Sequence, residues 1–532
     1  MAKRIIGCDL ALLDGNILTM DVRLRRAQAV AVLGDRIVQV GKNSEVRPLI
    51  GRRTKVLDLH GRTVIPGMID THIHFVDYGL SRGRIGLRGV GSIAEIQAKV
   101  ASKAKETPTG KWILGRGWDQ ERLKEKRYPN RHDLDMASPE NPVLLNRVCG
   151  HVCVTNSLGL QLAGITRETG NPQGGRIDKD DETREPTGIL RDEAMPLVWR
   201  HVPPPTKPEI VAAIEDASRS ALSAGLTTVH ALVRDSAQVE ALQEARAIGR
   251  LGVRVYMGIP VDLLENLIGL GVKSGFGDDW LKIGCVKMLL DGSLGGRTAA
   301  LKEPYADDPG NKGLLLYRED ELRQLVKKAH DSGYQLAIHA IGDQAMGLAL
   351  DAIEEAQSLT PRKDHRHRIE HASIVSPQQI ERMSRIGVIA SVQPAFVTSD
   401  FWAVDRVGKK RETWVYPFKT LFKSVVASAG SDCPVEHLDP IEGIWAAVTR
   451  KGFLPAERLG VDQVLYMYTL NGAYASFDED EKGSISEGKL ADMVVLSKDP
   501  FTVDPNELKS IKVERVIIGG RVIKSRPALP QD

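Results

Sequence analysis

The sequence predicts an α/β protein: a (β/α)8 barrel of the TIM type, with a small composite β-sandwich built from both termini and an inserted subdomain over the barrel mouth. Three observations predict this fold. Short alternating strand patterns occupy both ends of the 532-residue chain, and apolar strand candidates alternate with helical stretches between them. One long interval, residues 80–205, breaks that alternation.

The chain ends carry the strand patterns of a small β domain. "AVAVLGDRIVQVG" contains two strands that turn at Gly34-Asp35, and "VERVIIGGRVI" contains two more that turn at Gly519-Gly520. We therefore expect residues 1–62 and 484–532 to form one sandwich together.

Eight apolar segments predict the barrel strands. The first is "VIPGMIDTHIH" within residues 63–79, and the others lie within residues 206–483: "LTTVHAL", "VRVYMGI", "KIGCVKMLL", "YQLAIHA", "HRIEHA", "GVIASVQ" and "SVVASAG". Helical patterns such as "REDELRQLVKKAHDSG" separate them. Eight parallel strands with interleaved helices are what a (β/α)8 barrel requires.

Residues 80–205 form the predicted insertion. They are too many for a single crossover and contain their own helix pattern, "SIAEIQAKVASKAKE", and a strand pattern, "PVLLNRV". They follow the first barrel strand, so we expect them to lie over the end of the barrel where loops carry function.

Composition excludes several classes of protein. Lys and Arg number 72 against 69 Asp and Glu, a net charge of +3 with no concentrated basic region, which argues against nucleic acid as a partner. There is no run of 18 apolar residues, so no membrane span is predicted. The five cysteines form no C-x-x-C pair, and their odd number argues against a disulfide framework. We expect a cytoplasmic protein with a small-molecule partner.

Polar residues end several of the predicted strands. His72 and His74 alternate along one strand, so both side chains lie on the same face and could bind a metal ion together. Two polar residues at the point where a strand enters solvent would give the same pattern. His339, His371 and Asp432 stand at the carboxyl edges of other strands. In a closed barrel these edges converge, which predicts a divalent transition-metal site; the alternative is a chance set of strand-end polar groups.

Lys287 interrupts the apolar run "KIGCVKMLL". Burial lowers the pKa of a lysine, so a neutral amine becomes available to react with carbon dioxide. The resulting carbamate is an anion with two oxygens that can bridge two cations. The alternatives are a lysine paired with a buried aspartate such as Asp291, or one whose amine reaches the surface.

Six motifs together resemble the amidohydrolase superfamily, and more narrowly its YtcJ-like branch, which includes N-substituted formamide deformylase: "PGMIDTHIHF", "VKMLLDGSLGGRTAAL", "AIHAIGD", "RIEHAS", "AGSDCPVE" and "GKLADMVVL". The resemblance runs nearly end to end. It implies a barrel with one or two divalent ions, zinc being the expected one, and a homodimer. The implied ligands are His72, His74, Lys287 as a bridging carbamate, His339, His371 and Asp432.

The resemblance implies hydrolysis of carbon–nitrogen bonds in non-peptide amides, formamides or cyclic amides. Asp432 would act as general base toward a metal-activated water and then as general acid toward the departing nitrogen. A metal, with His151 or a nearby donor, would polarise the carbonyl. Four residues are candidates for substrate contacts, each with a structural alternative. His230 is equally a partner of the metal ligands or a polar group at the rim. Arg297 could hold a substrate carboxylate, but a loop arginine is more often a surface ion-pair partner. Trp118 and Asp119 could line the pocket, although hydrophobic packing is the more common role of a tryptophan.

Two other functions suit the same residues. A lactone or phosphoester hydrolase would use the same activated water, and a catalytically silent scaffold or regulator would keep the barrel alone. The presence of both Lys287 and Asp432 argues against the silent scaffold.

Overall fold

The computed structural model describes residues 7–172 and 174–524. The chain forms two compact units, one of residues 7–76 with 214–524 and the other of residues 77–213. Of the predicted sandwich segments, residues 1–6 and 525–532 lie outside the described residues.

The first unit begins with seven short strands and one helical turn. The strands are β1 (Cys8–Leu13), β2 (Asn16–Leu18), β3 (Arg26–Ala27), β4 (Ala29–Leu33), β5 (Arg36–Gly41), β6 (Ile50–Asp58) and β7 (Thr63–Pro66), and the turn is α1 (Asn43–Val46). The predicted hairpin at Gly34-Asp35 is the β4–β5 pair, which is antiparallel.

The second unit follows the first barrel strand, β8 (Met68–Ile73), along the chain. Its strands are β9 (Ile85–Gly86), β10 (Ile113–Trp118), β11 (Val143–Arg147), β12 (Val152–Thr155), β13 (Gly175–Lys179) and β14 (Pro186–Asp192), in the sheet order β13-β14-β12-β11-β10-β9. Its helices are α2 (Phe75–Ser81, which starts in the first unit), α3 (Ile93–Glu106), α4 (Arg131–Ala137), α5 (Ser157–Leu162) and α6 (Pro196–Trp199). Residues Ser92 and Asn130 cap α3 and α4 by accepting backbone N–H groups.

The barrel contains eight parallel strands whose spatial order is their chain order. After β8 they are β15 (Leu226–Leu232), β16 (Arg254–Pro260), β17 (Leu281–Leu289), β18 (Leu336–Ala340), β19 (Arg368–His371), β20 (Ile389–Val392) and β21 (Ala427–Ala429). The last strand returns to the first, where the N–H of Asp432 donates to the carbonyl of His72 at 2.7 Å. The predicted α/β barrel is confirmed.

Helices follow the barrel strands as the sequence predicts. They are α7 (Lys207–Ser223), α8 (Ser236–Ala247), α9 (Leu264–Leu270), α10 (Glu319–Asp331), α11 (Asp343–Leu359), α12 (Pro377–Ile386), α13 (Phe396–Ser399), α14 (Ala403–Val407), α15 (Phe418–Ser424), α16 (Pro440–Thr449), α17 (Val461–Met467) and α18 (Leu470–Tyr474). No helix in the described ranges is both long and apolar enough to cross a membrane.

The composite sandwich is built from both ends of the chain. The C-terminal strands β22 (Met493–Leu496), β23 (Val513–Ile518) and β24 (Arg521–Lys524) join β7, β2 and β3 in one sheet, which faces the sheet β5-β4-β1-β6. Leu12, Val30, Met493 and Ile517 belong to the core that the two sheets share.

One predicted strand is two strands in the structure. The segment "VIPGMIDTHIH" is divided at Gly67, so that β7 joins the sandwich and only β8 enters the barrel. A Cβ atom on Gly67 would lie 2.1 Å from the hydroxyl oxygen of Thr227, so the chain passes too close to β15 for any side chain at this position.

A buried ion pair joins the barrel to the sandwich. The guanidinium of Arg254, at the start of β16, donates to both carboxylate oxygens of Asp492, at 2.6 Å and 3.0 Å. Both side chains are almost fully buried, so each charge is compensated only by the other and by neighbouring polar groups.

Three buried histidines are joined by hydrogen bonds near the start of β19. His330 in α10 pairs its Nδ1 with Nε2 of His367 at 2.8 Å, and its Nε2 donates to the carbonyl of Thr360. Nδ1 of His367 accepts the backbone N–H of Leu336. The backbone N–H of His367 donates to Nδ1 of His365. Every ring nitrogen that accepts a hydrogen bond here faces a donor, so a proton added to any of them breaks a bond. Burial lowers the pKa of all three rings.

This cluster predicts acid sensitivity of the fold. In the unfolded chain the pKa of the three rings is near 6.5, so below that pH the unfolded chain binds protons that the folded protein does not. The free energy of unfolding therefore falls as the pH drops below this value. The slope is about 1.4 kcal/mol per pH unit for each such ring. The variant His367→Gln should be less stable at pH 7.5 but should lose stability less steeply than the wild type between pH 6.5 and 5, as measured by chemical denaturation. Equal slopes in the two proteins would contradict the prediction.

Candidate active site

Three side chains suited to metal binding converge at the carboxyl end of the barrel. His72 lies in β8, His371 ends β19, and Asp432 follows β21. Each is buried, and one ligand atom from each lies within 4.8 Å of the others. The rings of His72 and His371 have their centroids 4.7 Å apart. The barrel thus brings together residues that are separated by up to 360 positions in the chain.

His74 and His339 flank this trio. Nε2 of His74 lies 3.3 Å from Oδ1 of Asp432, and the ring centroid of His339 lies 4.4 Å from that of His371. Nε2 of His339 donates to the carbonyl of Gly292 at 3.0 Å, so the lone pair on its Nδ1 is available to bind a metal ion. Similarly, Nδ1 of His371 donates to the side-chain oxygen of Gln393 at 2.7 Å, so its Nε2 is available to bind a metal ion.

Lys287 lies inside the barrel on β17. Its side chain is buried, and Nζ has no hydrogen-bond partner among the described residues. Burial lowers the pKa of this amine, although the carboxylates of Glu370 and Asp432 oppose the shift. A buried amine without a hydrogen bond is costly, which is the condition under which a neutral, reactive amine is expected.

Asp291 does not form the alternative partner for Lys287. Its carboxylate is fully buried and lies 3.3 Å from Nε2 of His339. Three backbone N–H groups donate to it, those of Ala300 at 2.9 Å, Ile341 at 3.0 Å and Gly342 at 2.8 Å. Asp291 therefore holds the loops after β17 and β18 together, on either side of His339.

Asp432 is positioned as an ionised acceptor. Its Oδ1 lies 3.4 Å from Nε2 of His72 and 3.3 Å from Nε2 of His74, yet no described residue gives this oxygen a well-aligned hydrogen bond. Burial alone would raise its pKa, but the two imidazoles hold the pKa well below its usual range. The backbone φ angles of Asp432 and His371 are +57° and +74°, in the left-handed region that non-glycine residues rarely adopt and that often marks functional sites.

Asp70 and Gly430 bring β8 and β21 close enough for this contact. Oδ1 of Asp70 accepts the N–H groups of His72 and Ser431 at 3.0 Å and 3.1 Å, and Oδ2 accepts the hydroxyl of Ser431 at 2.6 Å. A Cβ atom on Gly430 would lie 2.5 Å from the backbone nitrogen of His72. Any side chain at Gly430 would therefore push Asp432 away from the histidines.

Comparison with known proteins agrees with this arrangement. The model of a family described as the amidohydrolase family matches residues 55–524. The chain is 35% identical over 526 residues to YtcJ of Bacillus subtilis (strain 168), which covers 96% of this chain and 98% of YtcJ.

The chain belongs to the amidohydrolase family.

Two further similarities extend over almost the whole chain. The N-substituted formamide deformylase of Arthrobacter pascens is 29% identical over 533 residues, 96% of this chain and 97% of that enzyme. A crystal structure from Pyrococcus furiosus, described as an uncharacterized metal-dependent hydrolase, superposes with a TM-score of 0.78 at 34% identity, covering 93% of this chain and all of that one.

Two predicted substrate contacts of this amidohydrolase lie in the first unit. His230 is fully buried in β15, where Nδ1 contacts Nη1 of Arg368 at 2.8 Å; this places it inside the barrel and not at the rim. Burial lowers the pKa of His230 well below its usual value, so the ring is neutral. Arg297 is half-buried and forms an ion pair with Asp307 at 2.9 Å.

The other predicted contacts of this amidohydrolase lie in the second unit. Trp118 is fully buried in the core of that unit and donates its indole N–H to the carbonyl of Leu145 at 3.0 Å. Asp119 accepts a hydrogen bond from Arg147 at 2.8 Å. His151 is partly exposed, and its Nδ1 lies 3.1 Å from Oδ1 of Asp192. The roles of these residues toward a substrate stay predictions.

The sequence did not predict the buried polar residues whose hydrogen bonds position the side chains of the amidohydrolase site. Arg368 and Glu370 are fully buried in β19, and Gln393 and Asp70 are nearly so. Arg368 and Glu370 did leave a signal, because two opposite charges within "HRIEHA" are unusual in a buried strand. Nothing in the local sequence identifies Gln393 or Asp70, because His371, the partner of Gln393, and Ser431, a partner of Asp70, are distant in the chain.

Proposed function

We propose that this chain is a metal-dependent hydrolase of carbon–nitrogen bonds in non-peptide amides, formamides or cyclic amides. One observation carries the proposal: His72, His371 and Asp432 offer ligand atoms within 4.8 Å of one another inside the barrel. The family assignment and the similarity to a metal-dependent hydrolase support it.

The donor set fits a divalent transition metal. Nitrogen ligands from neutral imidazoles combined with a carboxylate suit zinc, as well as other ions of the first transition series. Nζ of Lys287 and Oδ1 of Asp432 are two of the seven buried side-chain polar atoms without a hydrogen bond among the described residues, and a bound cation or a carbamate would satisfy both. The proposed ligands are His72, His74, Lys287 as carbamate, His339, His371 and Asp432.

A bound ion of this kind would lower the pKa of a water molecule toward neutrality and polarise the substrate carbonyl. The residues of the chain do the rest. Asp432, ionised at neutral pH, accepts the proton of the attacking water and returns it to the departing nitrogen, so that the amine leaves neutral. Phe396 stacks parallel to the ring of His371 with centroids 6.1 Å apart, so an apolar ring lies beside this histidine.

The first substrate class to test is an N-substituted formamide. The support is the 29% identity, over nearly the full length of both chains, to an enzyme that carries that name. A formamide also has the smallest acyl group that an amide can carry, so it makes the least demand on the acyl side of the pocket.

The test is a panel of N-substituted formamides, cyclic amides, lactones and phosphoesters, assayed with zinc-loaded and chelator-treated protein. We expect turnover of at least one carbon–nitrogen substrate, its loss after chelation, and its return when zinc is added back. Turnover of only lactones or phosphoesters would overturn the bond assignment. Turnover that survives complete removal of metal would overturn the proposed chemistry.

A further inference from the structure

A line of buried polar side chains runs from His72 into the interior of the barrel. Nδ1 of His72 lies 2.5 Å from Oε2 of Glu370, and Oε1 of Glu370 accepts Nε–H of Arg368 at 2.8 Å. Nη1 of Arg368 then contacts Nδ1 of His230 at 2.8 Å. All four side chains are at most 1% exposed, so solvent cannot replace any of these partners.

The direction of each hydrogen bond is fixed by the chemistry of Arg368. A guanidinium only donates, so Glu370 accepts at Oε1 and His230 accepts at Nδ1. Arg368 also donates to the carbonyl of Thr71 at 2.5 Å and to the hydroxyl of Ser391 at 3.3 Å. Because Arg368 cannot lose its charge or rotate away, Glu370 is held as a carboxylate with Oε2 directed at His72.

We propose that Glu370 is a positioning residue that fixes the proton of His72 on Nδ1 and so keeps the Nε2 lone pair directed toward Asp432 and the metal. This inference rests on the proposed metal-dependent function. Of the two fully buried histidines of the proposed set, His72 faces the carboxylate of Glu370, whereas His371 faces the neutral amide of Gln393. His339 is partly exposed, and its Nε2 lies 3.0 Å from the carbonyl of Gly292 and 3.3 Å from Oδ1 of Asp291. A carboxylate raises the basicity of an imidazole more than a neutral acceptor does, so His72 is a stronger metal donor than His371.

A glutamine at position 370 cannot do the same work. The carboxylate accepts two hydrogen bonds, one from Arg368 and one from His72, whereas an amide offers one acceptor and one donor group. Arg368 is the charged donor and takes the amide oxygen. The amide NH2 then faces Nδ1 of His72, which must accept, and the proton moves to Nε2, where it blocks the ligand position.

The experiment compares Glu370→Gln with Asp492→Asn. The control also removes the carboxylate of a buried arginine pair, but at the junction with the sandwich, so it reproduces the loss of stability without touching the ligands. Zinc affinity is measured by competition with a chromophoric chelator. Glu370→Gln should bind zinc roughly 10- to 100-fold more weakly than the wild type, and Asp492→Asn within about threefold of it.

The proton position is measured directly by 15N NMR of the zinc-loaded protein with labelled histidine, the His72 signal being assigned by its disappearance in His72→Gln. The wild type should show a proton on Nδ1 that is protected from exchange. A proton on Nε2 in the wild type overturns the proposal, even where Glu370→Gln does not fold.

A double variant tests the part played by Arg368. In Arg368→Met with Glu370→Gln the amide oxygen is free to accept from His72, so zinc affinity should return to within about tenfold of the wild type. Equal zinc affinity in Glu370→Gln and the wild type, or a double variant as weak as Glu370→Gln, overturns the proposal. A wild-type protein that binds zinc but hydrolyses no amide overturns the proposed function and leaves this inference standing.

Discussion

Replacing Asp432 by asparagine should lower kcat/KM by roughly 10²- to 10⁴-fold, the range that general acid–base catalysis contributes. The pKa of the Asp432 carboxyl is well below its usual range, so the group is ionised, whereas an amide of the same size cannot accept a proton from water. Steady-state kinetics on whichever carbon–nitrogen substrate the panel identifies would measure the loss, and metal analysis of the same sample would show how much of it follows from weaker metal binding.

The matched control for this substitution is Asp439→Asn, seven positions further along the chain. Asp439 caps α16 by accepting the N–H of Ile441, a role that asparagine fills equally well. It should retain wild-type activity and stability. An Asp432→Asn protein that keeps its metal and more than about a tenth of the wild-type kcat would show that another group moves the proton.

Most of the barrel could be predicted from the sequence because its strands are buried on both faces. Buried parallel strands read as continuous apolar runs, and "LTTVHAL" coincides with β15 at both ends. The convergence of His72, His371 and Asp432 also followed, because a polar residue at the end of such a run lies at the carboxyl edge of the barrel whichever strand carries it.

What the sequence could not show are contacts between distant segments. The break at Gly67 depends on Thr227, which is 160 positions away, so no local pattern separates β7 from β8. The last strand was predicted from residue 424, but α15 extends to Ser424 and β21 begins only at Ala427. Glu370 is 298 positions from His72, and only the closed barrel brings the two together.

Replacing Lys287 by methionine should have opposite effects on stability and on activity. Methionine has similar length and needs no hydrogen bond, so removal of the buried, unpartnered amine should raise the free energy of unfolding of the metal-free protein by about 1–3 kcal/mol. Activity should fall by roughly 10²-fold or more, because the proposed carbamate and the charge stabilisation it brings to the metal site are lost. Chemical denaturation and steady-state kinetics measure the two effects.

The control lies on the same strand. Lys282, near the start of β17, pairs with Asp478 at 2.5 Å, so Lys282→Met removes a partnered amine and should lower stability while leaving activity unchanged. Dependence of activity on carbon dioxide distinguishes a carbamate on Lys287 from an unmodified lysine. Wild-type protein that is stripped of metal and reloaded with zinc in carbon dioxide-free buffer should stay largely inactive until bicarbonate is added. Full recovery without bicarbonate would mean that Lys287 acts as an amine, and unchanged activity in Lys287→Met would remove it from the site altogether.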